Sequence, residues 1–441
     1  MKCLIIAAGR GSRLWRKARC KPLAPILGVP LIERVIRSAV EAHIEEFFVV
    51  TGYRGEVVRP FLDDLARRCG IRLTHIVNDE WEQGNGISVL KAKEVLREPF
   101  LLLMGDHLVE PSILKGLTEY LPNDGEIVLA VDRNVRNGLV DLTDVTRVWT
   151  EDGQVRDIGK GLEPYNGFDT GIFLCSPSIF DALEEIRRET EGEIALSDAV
   201  RLLGARGKVR VFDIGDQFWV DIDSPEDVDK AERVLLKRLA AKGTDGPVAR
   251  YLNRPFSIRL SRWLSRLPVT PNQLSVGVFL VSMVAAVLFF FPGYLPLLVG
   301  GVIAQTASIL DGCDGEVARL KFQRTEYGGW LDAVLDRYAD AFLLMGLTWH
   351  ASENGAKGLP LIIGFLALIG SFMVSYTAHK HDALMKDFFS KGRAFRIGRD
   401  IRLFLIFLGA LFNQPFLVLG VIAVVMNMET LRRIVICRRF A

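Results

Sequence analysis

From Asn272 onward the chain carries long apolar runs, whereas residues up to about Lys242 read like those of a soluble protein. This break constrains the fold more than any other feature. One half must hide its apolar surface in a core and the other in lipid. Six membrane spans are drawn at 273–291, 294–316, 329–350, 358–378, 401–412 and 415–435. All but the short fifth, which extends if started from about 397, come close to the roughly 20 residues that a bilayer-crossing helix needs. Lys and Arg crowd 254–266, 319–324, 380–402 and 432–439, while the turns FPGY, ENGAKG and NQPF hold one lysine in all. With six spans every basic cluster falls on one side, the cytoplasmic side by the positive-inside rule. The chain is therefore expected to be a multi-pass protein of the cell membrane.

With 441 residues the chain is also too long for one core. The expected division is a cytoplasmic domain at 1–240, a linker at 241–271 and a transmembrane domain at 272–441. In the first half KCLIIAAG, EEFFVVTG, RLTHIVND, FLLLMGD and EIVLAVD read as buried strands, several of them followed by amphipathic helices. That alternation predicts an α/β fold with a mostly parallel sheet and ligands at the C-terminal strand ends. WVDIDSPEDVDKAERVLLKRLAAK reads as a strand, a turn and a helix. In the linker, Phe256, Leu260, Trp263, Leu264 and Leu267 share one side of a helix and arginines another, as in a helix lying in the membrane interface. The six cysteines lack metal-ligand spacing and suggest a reducing cytosol. A net charge of +2 gives no ground for a nucleic-acid partner, and none is expected.

Asp311, Asp314, Asp332 and Asp336 lie at the cytoplasmic ends of spans two and three. Carboxylates at such depth are expensive and are retained where they have a function. Asp332 and Asp336 are one helical turn apart, and Asp311 and Asp314 are i,i+3 neighbours. Two helices that each present such a pair can converge on divalent cations. Gly315 and Gly328 leave room for a ligand, and Arg319 offers a charge suited to phosphate. The full spacing, D-x2-D-G-x2-A-R-x8-G-x3-D-x3-D, resembles without gap or substitution the signature of the CDP-alcohol phosphotransferases. The resemblance implies an all-α six-helix transmembrane domain, a homodimer formed through it, and transfer of a substituted phosphate from a CDP-alcohol to a second alcohol with release of CMP. It implies Asp311, Asp314 and Asp332 as ligands of Mg²⁺ or Mn²⁺, and Asp336 as ligand or base for the acceptor hydroxyl. Gly315, Ala318 and Arg319 would border the cytidine diphosphate. SYTAHKHD and GRDIR are similar to basic segments of the acceptor pocket, which makes Lys380, Arg399 and Arg402 candidates for an acceptor phosphate; positive-inside anchoring is the competing role.

In LIIAAGRGSRLWRKARCKPLAPILGVPLIERVI a strand runs into Ala7-Ala8-Gly9-Arg10-Gly11-Ser12-Arg13, followed by Lys21-Pro22-Leu23. Gly9 and Gly11 let backbone amides approach a triphosphate, and Arg13 and Lys21 neutralise it. The third glycine of a dinucleotide fingerprint is missing. The segment resembles the sugar-nucleotide nucleotidyltransferases, with a likeness covering nearly all of 1–235. That resemblance implies a Rossmann-like nucleotidyltransferase domain with catalytic Arg13 and Lys21. It also implies a Mg²⁺ ligand at Asp106, and a second at Asp223 or, alternatively, Asp221. Ala7, Ala8, Gly9 and Gly11 would approach the phosphates, Gly84, Asn85 and Gly86 the nucleobase, and Lys160 with NGFDTGIF the acceptor.

The two halves explain each other. A domain that consumes a CDP-alcohol, fused to one that joins a nucleotide to a phosphate, makes CTP the expected nucleotide. The order resembles fused enzymes that make CDP-inositol from CTP and inositol 1-phosphate, then pass the phosphoinositol group to a second inositol 1-phosphate. A lipid acceptor is the alternative. A transporter or receptor with a degenerate nucleotide-binding domain is disfavoured, because both motif sets are intact.

Overall fold

In the computed structural model the chain forms two compact units, Met1–Val234 and Leu235–Ala441. The structure describes all residues except 12–19, 121, 124, 241–245, 354–357, 385–397 and 441, with backbone alone at 240, 379–384, 439 and 440.

The first unit is an α/β layer structure. Its strands are β1 (Lys2–Ala7), β2 (Pro25–Ile26), β3 (Val29–Pro30), β4 (Glu46–Thr51), β5 (Arg72–Val77), β6 (Phe100–Met104), β7 (His107–Val109), β8 (Ile127–Asp132), β9 (Thr146–Glu151), β10 (Gln154–Lys160), β11 (Gly167–Cys175), β12 (Val209–Asp213) and β13 (Trp219–Asp221). Helices α1 (Leu31–Glu41), α2 (Gly55–Cys69), α3 (Asn85–Leu90), α4 (Pro111–Thr118), α5 (Ser178–Glu189) and α6 (Leu196–Ala205) complete its body, and α7 (Pro225–Ala240) starts in it and runs past its limit at Val234. The five runs read as strands in the sequence are β1, β4, β5, β6 and β8.

Nine strands form one sheet in the order β5-β4-β1-β6-β11-β8-β12-β10-β9. The sheet is mixed, not mostly parallel. Parallel pairing holds for β5, β4, β1 and β6, whereas β11 runs antiparallel to both β6 and β8. The far edge reverses because β9 and β10 are joined by Asp152-Gly153, both at positive φ (50° and 74°), the turn that matches strand twist in a two-residue hairpin. One apolar cluster lies on each face of the sheet: Leu4, Ile6, Phe100 and Leu102 point to one, and Cys3, Ile5, Leu101 and Leu103 to the other. This alternation along β1 and β6 explains why both strands are continuous apolar runs.

The second unit is helical: α8 (Arg254–Leu264), α9 (Pro271–Leu288), α10 (Tyr294–Leu320), α11 (Glu326–Glu353), α12 (Gly358–Leu384), α13 (Arg399–Leu411) and α14 (Pro415–Phe440). Thr270 and Gln273 form a reciprocal capping box that starts α9. Among the described residues four helices, α9, α10, α12 and α14, are long and apolar enough to cross a membrane. The other two drawn spans coincide with α11 and α13. The first bears Asp332, Asp336, Arg337 and Asp340, and the second has only 13 residues. On α8, Phe256 and Trp263 are 53% and 58% exposed, while Ser257, Ser261 and Ser265 are buried. The serine side is the packed one, and it faces α10.

Candidate active sites

The sheet builds the first site at the C-terminal ends of β1 and β6. These strands pair in parallel with Ile6 opposite Met104, and Gly105 donates its N–H to the Ile6 carbonyl at 2.8 Å. The loop after Ala7 and the acidic turn at Asp106 therefore lie side by side. The β7–β13 ribbon sets His107 opposite Asp221, and the Ile222 N–H bonds the Asp106 carbonyl at 3.1 Å. Three segments far apart in sequence thus converge.

Lys21 is the hub. Its ammonium lies 2.5 Å from Asp106 Oδ2 and 2.5 Å from Asp223 Oδ1. Gly11, at φ +57°, makes room for it, since a side chain there would collide with the Lys21 stem. Burial opposes the Lys21 charge, but Asp106, Asp221 and Asp223 outweigh it and raise its pKa. Burial raises the pKa of Asp106 too, and here Lys21 and His107 prevail and lower it. For Asp223 burial wins and the pKa rises.

Asp221 is turned to His107 instead, with 3.4 Å between its Oδ1 and Nε2. The imidazole Nδ1 meets the Thr170 carbonyl at 2.7 Å. Burial works against the imidazolium, yet Asp221 and Asp106 push its pKa up to about 10. Oxygen donors from Asp106, Asp221 and Asp223 around a bound cationic group fit a hard divalent ion. A ring nitrogen of His107 lies within 4.8 Å of oxygens of Asp106 and Asp221 and belongs to the same donor set.

Two cavities open beside these groups. One, of about 470 Å³, is lined by Gly9, Arg10, Trp81, Gly84, Asn85 and Ser88. Gly84 sits at φ +97°, and a side chain there would strike the Ile194 carbonyl, so both the backbone and the space demand glycine; Gly86 donates to that same carbonyl at 2.9 Å. Asn85 is committed to the Leu196 N–H at 2.8 Å. Ala7 and Ala8 are buried beneath the loop. The other cavity, of about 250 Å³, has Asp106, Lys160, Asp169, Asp221 and Asp223 in its wall. Lys160 reaches Asp144 at 2.5 Å. Burial pushes the Asp169 carboxyl up to about 6. Arg13 lies outside the described residues. His107, Asp144 and Asp169 were not singled out from sequence, although His107 directly follows Asp106 and Asp169 lies in the NGFDTGIF segment.

In the second unit α10 and α11 present the expected carboxylates. Oxygens of Asp311, Asp332 and Asp336 lie within 4.8 Å of one another, a donor set that fits Mg²⁺ or Mn²⁺. Asp314 accepts from Ser275 Oγ at 2.5 Å, so α9 holds it in place. Gly315 and Arg319 are stacked on α10, one turn apart, and Ala318 is buried.

Arg399, at the start of α13, ties the cluster together. Its Nη1 is 2.6 Å from Asp311 and 2.7 Å from Asp336, and its Nε is 3.2 Å from Asp340. Arg402 is 3% exposed and pairs with Asp340 at 2.5 Å and with the Ser371 carbonyl at 3.3 Å. Both arginines, together with Asp336 and Arg433, line a cavity of about 220 Å³. Asp340 and Arg433 were not anticipated. Each lies one turn beyond a signature residue or in a basic cluster assigned to topology. The Lys380 side chain lies outside the described residues.

Residues 3–203 match the model of the MobA-like NTP transferase domain, and residues 268–430 that of the CDP-alcohol phosphatidyltransferases. The chain is thus an enzyme that joins a nucleotidyltransferase to a CDP-alcohol phosphotransferase. It is 37% identical to a protein of Rubrobacter xylanophilus named bifunctional IPC transferase and DIPP synthase, over 99% of this chain and 96% of that one. The Aquifex aeolicus protein of the same name is 35% identical over 97% and 96%. The chain belongs to the family of bifunctional IPC transferases and DIPP synthases. A solved inositol-1-phosphate CTP transferase from T. maritima is similar to 53% of this chain and 94% of its own, at 26% identity and a TM-score of 0.47.

Proposed function

We propose that the first unit makes CDP-inositol from CTP and inositol 1-phosphate, and that the second spends it. A phosphate oxygen of inositol 1-phosphate attacks the α-phosphorus of CTP and pyrophosphate leaves. Lys21, with Arg13, neutralises the charge that develops. Lys160 and the polar wall around Asp144 and Asp169 receive the polyol. In the second unit the hydroxyl of another inositol 1-phosphate gives its proton to Asp336 and attacks the phosphate that bears inositol. CMP leaves, and di-myo-inositol phosphate phosphate forms. A divalent cation, proposed as Mg²⁺ in both units with Mn²⁺ as a substitute, supplies charge neutralisation at the phosphates when bound. Asp106 and Asp223, with Asp221 beside them, would hold it in the first unit. Asp311, Asp314, Asp332 and Asp336 would do so in the second. Arg399 and Arg402 receive the acceptor's phosphate.

One observation carries this reading. In each unit, carboxylates supplied by separate elements meet one cation beside a cavity, Lys21 with Asp106 and Asp223 in the first and Arg399 with Asp311 and Asp336 in the second. We further infer that α9–α14 all cross the cell membrane, that both sites face the cytoplasm, and that the chain pairs through these helices. The domain limits 1–240, 241–271 and 272–441 belong to the same reading, with α8 at the membrane surface. The test is the product formed from CTP and labelled inositol 1-phosphate by the intact protein in lipid. A water-soluble product supports the reading. A lipid-extractable one overturns it.

A further inference from the structure

The carboxylate of Glu316 is buried without any solvent exposure, on the side of α10 opposite the proposed catalytic carboxylates. At 3.6 residues per turn it lies about 170° around the helix from the midpoint of Asp311 and Asp314. Its partners come from α8. Arg254 Nη1 is 2.5 Å from Glu316 Oε1, and Ser257 donates to the same oxygen at 2.7 Å. Gly312, one turn earlier, permits the approach, since a Cβ there would lie 3.3 Å from Ser257 Oγ. One turn earlier still, Asn253 donates to Ser308 Oγ at 3.0 Å and accepts from Gln305 at 3.0 Å. The seam is therefore polar along its length and fixes one register between α8 and α10. An apolar seam would tolerate sliding, whereas a buried charge must keep its partner. The same stretch of chain reaches α13: the Ala249 N–H donates to Asp400 Oδ2 at 2.9 Å, next to Arg399. Residues 249–257 thus grip the two helices whose side chains meet where Arg399 touches Asp311 at 2.6 Å.

We propose that Arg254 and Glu316 are positioning residues for the phosphotransfer step. They fix α8 against α10 and so set where Asp311 and Asp314 stand relative to Asp332, Asp336 and Arg399. The inference rests on the phosphotransferase reading of that cluster. It adds a role for a segment outside the signature.

The test uses the full-length protein in lipid nanodiscs with supplied CDP-inositol and inositol 1-phosphate. Glu316→Gln keeps shape and the Ser257 hydrogen bond but removes the charge. We expect it to lower kcat for transfer about tenfold or more, with KM for both substrates within about twofold, as for lost alignment rather than lost binding. CDP-inositol formation by the same molecules stays at the parent rate. The unfolding midpoint of the second unit falls, as loss of a buried partner requires, so rates are taken well below it and scaled to the folded fraction. Arg254→Lys, which retains a cation, recovers a substantial part of the rate that Arg254→Met loses. A parent-like kcat in Glu316→Gln overturns the proposal. So does a loss that merely tracks the fraction of folded protein, or one that appears in KM. Asp336→Asn is the reference: transfer that survives in it removes the site reading itself, whereas transfer lost there but kept in Glu316→Gln removes only the positioning role.

Discussion

Arg399 sets its Nη1 2.7 Å from Asp336, across the 63 positions that separate them in the chain. The same guanidinium also reaches Asp311 through Nη1 and Asp340 through Nε, a spread of donors over two nitrogens that the point charge of a lysine does not reproduce. Arg399→Lys is therefore expected to lower transfer at least about tenfold while leaving the first step alone. Arg399→Ala strips Asp311 and Asp336 of this partner, leaves Asp340 with Arg402 alone, and should destabilise the second unit by about 3–5 kcal/mol. Rates with supplied CDP-inositol, and unfolding midpoints in detergent, measure the two effects.

Arg402 poses a sharper question, because it is buried and already holds Asp340 at 2.5 Å. Arg402→Ala should raise KM for inositol 1-phosphate in the transfer step with much less effect on CDP-inositol. It should also lower the unfolding midpoint, as loss of a buried partner requires. A lower midpoint with unchanged KM would make this arginine a structural partner of Asp340 and nothing more.

These arginines also mark where the sequence stops being legible. The spacing of Asp311, Asp314, Asp332 and Asp336 is local to two helices, so 3.6-residue periodicity foretells their faces. The arrival of Arg399 from α13 depends on how six helices pack, and no local pattern encodes that. In the first unit the apolar runs announced β1, β4, β5, β6 and β8, but Lys21 bridges Asp106 and Asp223, which lie 85 and 202 positions from it in the chain. The antiparallel edge was readable in principle from Asp152-Gly153. The linker helix shows the opposite case. Its apolar stripe was plain, yet the packed side is that of Ser257, Ser261 and Ser265, where Ser257 meets the buried Glu316.

Asp169 supplies a pH test. Burial holds its carboxyl at about 6, above the roughly 3.9 of an unfolded aspartate. The folded chain thus binds this proton more tightly than the unfolded chain, so the group costs stability above about pH 6 and progressively less toward pH 4. Asp169→Asn should raise the unfolding midpoint of the first unit at pH 8, and the gap should narrow as pH falls to 4.5. If the ionised carboxylate also receives a polyol hydroxyl, kcat/KM for inositol 1-phosphate in the parent falls below about pH 6, and that limb is missing in the variant. A pH-independent difference between the two proteins would refute the assignment.

The first unit is compact by itself, so a fragment ending at Ala240 is expected to fold and to make CDP-inositol from CTP and inositol 1-phosphate with Mg²⁺. Lys21→Ala in that fragment should remove most of the rate, since it leaves Asp106 and Asp223 without their shared cation. A folded but inactive fragment would show that the second unit completes the first site.

The central claim is that one chain holds two chemically separate sites. Product analysis of two full-length variants tests it most directly. Asp336→Asn, given CTP and inositol 1-phosphate, should accumulate CDP-inositol and yield no di-myo-inositol phosphate phosphate. Asp106→Ala should form no CDP-inositol, yet convert supplied CDP-inositol and inositol 1-phosphate to final product at close to the parent rate. Loss of both steps in either well-folded variant would contradict the account.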